Sequence, residues 1–421
     1  MEKVIVVGVK INEVNIDEFN YEIEELKNLA EACEMEVVDS VFQNLEAFNN
    51  NTYVGSGKVE EIKTAIIAMD AEGVVFNDEL TPSQVSTLQD ALDTAIYDRT
   101  FLILEIFRRR AKTKEAQLQV ELATLKYTLP RLAGLRKGLS RQRGSGGGFA
   151  HGRGAGETKL ELDRRISGDK IASIKKELEE LKFKRQEQRV KRKKNDMKVV
   201  SLVGYTNSGK STTLNTILNY SKGVKKEVLQ KDMLFATLET STRSINNERG
   251  QFLLTDTVGF VSKLPHQLVE AFKSTLEEVS ESDLIIHVVD SSNENFEKQI
   301  EVTNEVLKEL GTGNIPVIYA FNKLDKNTNY VYIPSNYEKA VRISAAKDIN
   351  INMLLDMVFD ELYKDYIDVN IVLPYGKEKE FYDIMKNAVN MKTNYDDYGM
   401  NISCKINDNF YNRFKKYIKE K

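Results

Sequence analysis

The sequence predicts a multidomain α/β protein centred on a mostly parallel sheet. Three observations carry that expectation. Val199, Val200, Leu202 and Val203 form the short apolar run of a buried parallel strand, and Gly204 ends it. The next eight residues, Gly204-Tyr205-Thr206-Asn207-Ser208-Gly209-Lys210-Ser211, match G-x-x-x-x-G-K-[ST] and lead into a helix expected from Ser211 to about Asn219. Two more apolar runs, Leu284 to Val289 and Ile315 to Phe321, then read as strands of the same sheet.

The residue types in the loop follow from what a phosphate requires. Backbone N–H groups must converge on phosphate oxygens, so bulky side chains cannot crowd the turn. The helix N-terminus adds a dipole that favours an anion. Lys210 reaches the β- and γ-phosphates, and the Ser211 hydroxyl is a ligand for Mg²⁺.

The second of the later strands runs into Asn322-Lys323-Leu324-Asp325, an N-K-x-D sequence at a strand's carboxyl end, where open α/β sheets bind ligands. The Asp325 carboxylate can accept from both guanine N1–H and the N2 amino group. Adenine offers neither, so Asp325 selects GTP over ATP. Asn322 and Lys323 are expected to brace the loop and cover the base. After another short strand, the backbone amides of Ser344, Ala345 and Ala346 are placed to meet the guanine O6.

Between these motifs lies Leu253 to Phe260, a strand ending in D-x-x-G: Asp256, Thr257, Val258, Gly259. Such a segment senses a γ-phosphate, with Asp256 on Mg²⁺ through water and the Gly259 N–H on the phosphate. Upstream, Phe235-Ala236-Thr237-Leu238-Glu239 supplies Thr237 as the second hydroxyl for the metal, with Thr240, Ser241 and Thr242 as alternatives in register. Lys210, Thr237 and Gly259 form the candidate catalytic set. Phe260 stands where many such enzymes carry a water-orienting Gln, so slow hydrolysis is expected of the protein alone.

Together these motifs resemble the translation-factor-related GTPases, and F-A-T-L-E followed by D-T-V-G-F resembles the HflX family. Thr52 to Glu61, the run ending Gly154-Ala155-Gly156-Glu157, and Glu161-Leu162-Asp163-Arg164-Arg165 are similar to that family's other signatures. The resemblance covers the chain to about residue 365. It implies binding to the large ribosomal subunit and its rRNA, and the splitting of stalled ribosomes.

No run approaches the eighteen apolar residues of a membrane span, and Met1-Glu2-Lys3-Val4 lacks the layout of a signal peptide. Cys33 and Cys404 stand alone, which fits a reducing cytoplasm. His151, His266 and His287 are widely separated, which argues against a zinc site. A monomer is expected. The net charge of −4 hides an asymmetry. Residues 1–100 carry 6 Lys/Arg against 21 Asp/Glu, whereas residues 101–200 carry 27 against 12. The middle hundred is therefore the expected polyanion contact.

Four domains are expected: 1–105, 106–197, 198–365 and 366–421. The first alternates strands (from Lys3, Val37 and Gly73) with helices (from Asp17, Lys58 and Thr81), as a small α/β domain does. Gly55-Ser56-Gly57-Lys58 resembles a phosphate loop but lacks the earlier glycine and a following Ser or Thr, so it reads as a turn capping a helix. In the second domain a helix is expected from Arg108 to Tyr127, ended by Pro130. Another runs from Glu157 to Lys194 with Leu160, Leu162, Ile166, Ile171, Ile174, Leu178 and Leu181 as its seam. Two such helices describe an antiparallel hairpin. Its tip, Gly144 to Gly156, reads by composition either as a flexible linker or as an RNA-entering loop. The resemblance favours the latter, with Arg136, Lys137, Arg141, Arg143 and Arg153 on rRNA. The tail is expected to be α+β, with strands at Asp368–Pro374 and Tyr398–Ile406 around a helix from Lys377 to Asn390.

The function expected is a GTP-hydrolysing ribosome-associated factor that docks with GTP and leaves after hydrolysis. The alternative is a GTP-dependent assembly factor acting on precursor RNA. A small-molecule enzyme is disfavoured, because no paired carboxylates or Cys/His couple accompany the P-loop.

Overall fold

The computed structural model describes residues 1–132, 153–194, 197–221, 241–263, 278–326, 337–397 and 399–419, with side chains of the long helix described from 161 to 187. Contacts divide the chain into two units.

Among the described residues the first unit contains 1–132, 153–189 and 259–263. Its sheet is β1 (Glu2–Ile11), β2 (Met35–Leu45), β3 (Gly73–Phe76) and β4 (Ala95–Asp98), all parallel, in the order β2-β1-β3-β4. Helices α1 (Ile16–Ala32), α2 (Ser56–Met69), α3 (Pro82–Leu92) and α4 (Arg99–Arg110) complete the α/β layers. The β1 residues Val4 to Val7 are fully buried, as an interior parallel strand requires. Gly55 is the N-cap of α2, so the Gly-Ser-Gly-Lys stretch begins a helix as expected. Thr81 and Gln84 form a reciprocal capping box that starts α3.

Two expectations need correction here. Arg108 to Arg110 do not open a helix; they end α4, which starts at Arg99 and runs across the expected boundary at residue 105. Ala111 is extended, and Thr113 accepts from the Ala116 N–H to start a separate helix, α5 (Lys114–Thr128). The extended Ala111 stops one helix, and the threonine cap begins the next. The second correction concerns the seam of α6 (Arg153–Lys194). Ile171, Ile174, Leu178 and Leu181 pack against Leu118, Leu122 and Leu125 of α5, but Leu162 and Ile166 are 43% and 54% exposed. The described helices run antiparallel, with ion pairs Lys114–Glu177, Arg185–Glu115 and Lys170–Glu121 along them.

The second unit holds a six-stranded sheet in the order β10-β9-β8-β5-β7-β6. Its strands are β5 (Val199–Val203), β6 (Ser241–Asn247), β7 (Gly250–Asp256), β8 (Leu284–Asp290), β9 (Val317–Asn322) and β10 (Ala340–Arg342). All pairs are parallel except the β6–β7 hairpin. Helices α7 (Lys210–Leu218), α8 (Phe296–Glu309) and α9 (Ile351–Leu362) accompany it. Val200, Leu202, Leu254, Ile286, Val288 and Ile318 are buried in the core beneath the strands' carboxyl ends.

The tail within this unit is an antiparallel sheet, β11 (Ile367–Pro374), β13 (Gly399–Ile406) and β12 (Val389–Asp396), in the order β11-β13-β12. Helices α10 (Glu378–Asn387) and α11 (Asp408–Phe414) close it over Ile371, Leu373, Ile402, Ile406 and Phe414. The tail helix ends at Asn387, not Asn390. Ala388 turns extended, and a strand with alternating burial begins at Val389. Among the described residues no helix is long and apolar enough to cross a membrane.

Candidate guanine-nucleotide site

The site lies at the carboxyl ends of β5, β8 and β9, where their parallel order places three loops side by side. The first loop is the Gly-rich turn from β5 into α7. Gly204 has φ +146°, and a Cβ there would collide with the Val288 carbonyl. Gly209 has φ +93°, and a Cβ would collide with the Asn322 side-chain amide. Glycine is therefore required at both positions by backbone conformation and by close approach. Asn207, between them, also has a left-handed φ of +60°. Tyr205, Thr206 and Ser208 are buried around the turn.

Lys210 is 6% exposed, and its ammonium donates to the carbonyls of Gly204 at 3.0 Å and Tyr205 at 2.8 Å. The ammonium is thus folded back over the mouth of the loop. Burial lowers its pKa to about 8, with Asp256 opposing and Lys323 reinforcing the shift. His287, in the middle of β8, is also buried. Burial, with Lys210 nearby, lowers its pKa to about 3, so it is a neutral core residue. Among the described residues no cluster of three or more His, Cys, Asp or Glu is placed to hold a metal.

Ser211 donates its hydroxyl to Asp256 Oδ2 at 2.7 Å, which joins the first turn of α7 to the end of β7. A hydroxyl beside a carboxylate is a hard-oxygen pair, the donor set that suits Mg²⁺. Thr257 is fully buried and donates to the Leu202 carbonyl at 2.6 Å. That bond ties its hydroxyl to the sheet. Val258 is buried beside it. Gly259 and Phe260 belong to the first unit, and the Phe260 ring is 1% exposed. Ser241 and Thr242 lie on β6 opposite Asp256 and Thr255. Phe235, Ala236, Thr237, Leu238, Glu239 and Thr240 lie outside the described residues, as do Arg136, Lys137, Arg141 and Arg143; Arg153 begins α6 with its side chain undescribed.

The N-K-x-D loop and the loop after β10 are held by Asn322. Its Nδ2 donates to the Ser208 carbonyl at 2.9 Å, and its Oδ1 accepts from the Ala345 N–H at 2.9 Å. One buried amide therefore links the Gly-rich loop, the N-K-x-D loop and the loop after β10. Leu324 and Asp325 lie on a short 3₁₀ turn, and the Ser344 hydroxyl donates to Asp325 Oδ1. Ala345 is further tied by Thr216, whose hydroxyl donates to its carbonyl at 2.8 Å, while Ala346 is exposed. The structure brings together Ser208, Lys210, Ser211, Asp256, Asn322, Lys323, Asp325, Ser344 and Ala345 as one constellation. Sequence reasoning missed Asp290, Ser291 and Lys263. Asp290 ends β8, Ser291 follows it, and neither carries a motif. Lys263 pairs with Glu22 at 2.6 Å and Asp78 at 2.7 Å inside the first unit, a contact between residues far apart in sequence.

Three family descriptions match the chain: GTP-binding GTPase N-terminal over residues 20–108, GTP-binding GTPase Middle Region over 110–192, and 50S ribosome-binding GTPase over 199–323. A protein named GTPase HflX from Caldanaerobacter subterraneus subsp. tengcongensis is 42% identical over 94% of this chain and 90% of its own length. One from Lacrimispora saccharolytica is 41% identical over 96% and 93%. Among solved structures, a GTP-binding protein from Sulfolobus solfataricus in complex with GDP is 24% identical, with a TM-score of 0.43 over 86% of this chain and 99% of that one.

Proposed function

The chain belongs to the HflX family of GTPases and hydrolyses GTP, and from that premise we propose that it uses its nucleotide state to dock on and leave the large ribosomal subunit, splitting or rescuing stalled ribosomes. The observation that carries the nucleotide half is the Asn322 amide joining all three nucleotide-facing loops. The family description of residues 199–323 and the basic balance of residues 101–200 support the ribosomal half.

In this reading the chain works as four parts, with the first boundary moved from residue 105 to the end of α4 and the others at 197 and 365, as a monomer in the cytoplasm. Residues 204–211 hold the phosphates, Asp325 reads guanine, and the amides of 344–346 meet O6. Ser211 and Thr237 would hold Mg²⁺ through their hydroxyls, with Asp256 acting through water; the ion would supply charge neutralisation at the phosphates. Lys210 stabilises charge on the transferred phosphoryl group, and the Gly259 N–H senses it. Phe260 can neither orient nor deprotonate water, so the water-orienting group comes from outside the chain's own D-x-x-G segment. Arg136, Lys137, Arg141, Arg143 and Arg153 contact rRNA.

The test is sedimentation with purified subunits, with and without a non-hydrolysable GTP analogue, beside single-turnover hydrolysis. GTP-dependent co-sedimentation with the large subunit and acceleration of about 10²-fold or more are expected. Binding to precursor RNA alone, with equal rates in the presence and absence of subunits, would replace this reading by an assembly role. Neutralising Arg141, Arg143 and Arg153 should weaken co-sedimentation, and the loss should steepen with salt.

A further inference from the structure

Lys323 sits in a conformation that lysine disfavours. Its φ is +66°, in the left-handed region that a side chain with a Cβ disfavours. Such a conformation persists only where the surroundings impose it. Asp290, the last residue of β8, and the two serines that follow it do so. Ser291 donates its N–H at 3.0 Å and its hydroxyl at 2.6 Å to the Asn322 carbonyl, which clamps the peptide preceding Lys323. Beyond it, the Leu324 N–H donates to the Ile343 carbonyl at 3.1 Å. Asp290 takes the side chain: its Oδ2 accepts from the Lys323 ammonium at 2.8 Å, and both side chains are 15% exposed.

Asp290 is itself fixed. It lies at the carboxyl end of β8, opposite Asn322 in the parallel register. Its Oδ1 accepts from the Ser292 N–H at 3.1 Å and the Ser292 hydroxyl at 2.6 Å. The carboxylate therefore offers one oriented oxygen to one ammonium. A mostly buried lysine without such a partner would bear a desolvation penalty or swing toward solvent. With its ammonium pinned to Asp290, the methylene stem is held in one place, an apolar surface of the kind a base can lie against.

We propose that Asp290 is a positioning residue for guanine-nucleotide binding, which acts by holding Lys323 in its left-handed, base-covering conformation before the nucleotide arrives. The proposal rests on the reading of the N-K-x-D loop as the base site. Preorganisation of this kind lowers the ordering cost of binding and slows release. It acts on GTP and GDP alike, because the base is common to both. It leaves the choice between guanine and xanthine to Asp325.

The test measures nucleotide affinity and release rate with fluorescent GDP and a non-hydrolysable GTP analogue. Asp290→Asn keeps the shape and the bonds from Ser292 but removes the acceptor for the ammonium. It should raise Kd for both nucleotides about ten-fold, mostly through faster release. In turnover, KM should rise by a similar factor with little change in kcat. Lys323→Met, which keeps the stem and deletes the charge, should give a comparable loss. The double variant should be no worse than Lys323→Met alone, since Asp290 acts through that ammonium. A Kd within two-fold of the parent for Asp290→Asn, or losses that multiply in the double variant, would overturn the proposal. If Asp290→Asn does not fold, Ser292→Ala decides: a Kd raised two- to three-fold supports the proposal, and an unchanged Kd sinks it. Failure of the base-site reading itself is separately visible, as unaltered guanine selectivity in Asp325→Asn.

Discussion

The side-chain amide of Asn322 donates to the carbonyl of Ser208, 114 residues earlier in the chain, at 2.9 Å. Its other atom accepts from the Ala345 N–H, so the phosphate loop and the two base-facing loops share one buried group. Asn322→Ala removes both bonds and leaves a buried N–H and carbonyl unmade. A loss of about 2 kcal/mol is expected, which is roughly thirty-fold in Kd for GTP and GDP alike. Nucleotide titration measures it, and an unchanged Kd would mean that the loops hold their places without the amide.

Asp325→Asn should shift preference from guanine toward xanthine. In the proposed site the carboxylate would accept from two guanine donors, while the amide would present a donor to one of them. GTP affinity should fall by about 10²-fold, with xanthosine triphosphate favoured over GTP. Competition binding distinguishes this from simple damage, in which both nucleotides would weaken together.

Lys210 gives the site a pH dependence. Burial holds its pKa near 8 in this arrangement, and pairing with phosphate raises it. The charged form binds better, so binding takes up a proton above pH 8 and affinity falls as pH rises. Between pH 7 and pH 9 the loss should be about ten-fold, and below pH 7 the contribution of this group should be flat. A pH-independent Kd up to pH 9 would show that the ammonium keeps its ordinary pKa before binding.

Arg99 is 1% exposed and pairs with Glu25 at 2.7 Å, while also donating to the Asn77 side chain at 2.7 Å and to the Glu22 carbonyl at 2.8 Å. Arg99→Ala leaves the Glu25 carboxylate buried without its cation, so a loss of about 3–5 kcal/mol is expected in the first unit. Amide exchange of β1 residues 4–7 should accelerate accordingly. Arg99→Lys should not restore protection, since an ammonium cannot reproduce the guanidinium fork. Normal exchange in Arg99→Ala would remove this residue from the centre of the unit.

Much of the nucleotide site was legible without coordinates because its chemistry is written in contiguous motifs. Gly204, Gly209, Lys210, Ser211, Asp256, Asn322 and Asp325 each announce a role by residue type and spacing. The helix from Arg108 was misread because basic residues at a helix end and at a helix start look alike in a pattern. Only the extended Ala111 and the Thr113 cap separate α4 from α5. The β4 strand escaped notice because three half-buried residues and one buried aspartate carry too little periodicity to stand out.

By itself the sequence determined the P-loop, the choice of guanine, the family resemblance and the charged middle of the chain. These depend on local residue types or on sums over residues. Tertiary structure decided what braces the motifs: Asn322 against Ser208 and Ala345, Asp290 against Lys323, Thr257 against Leu202, and Lys263 against Glu22 and Asp78. Most of these bonds join residues tens to hundreds of positions apart. Sheet order and register bring them within 3 Å, and a short hydrogen bond between distant residues leaves no periodic trace along the chain.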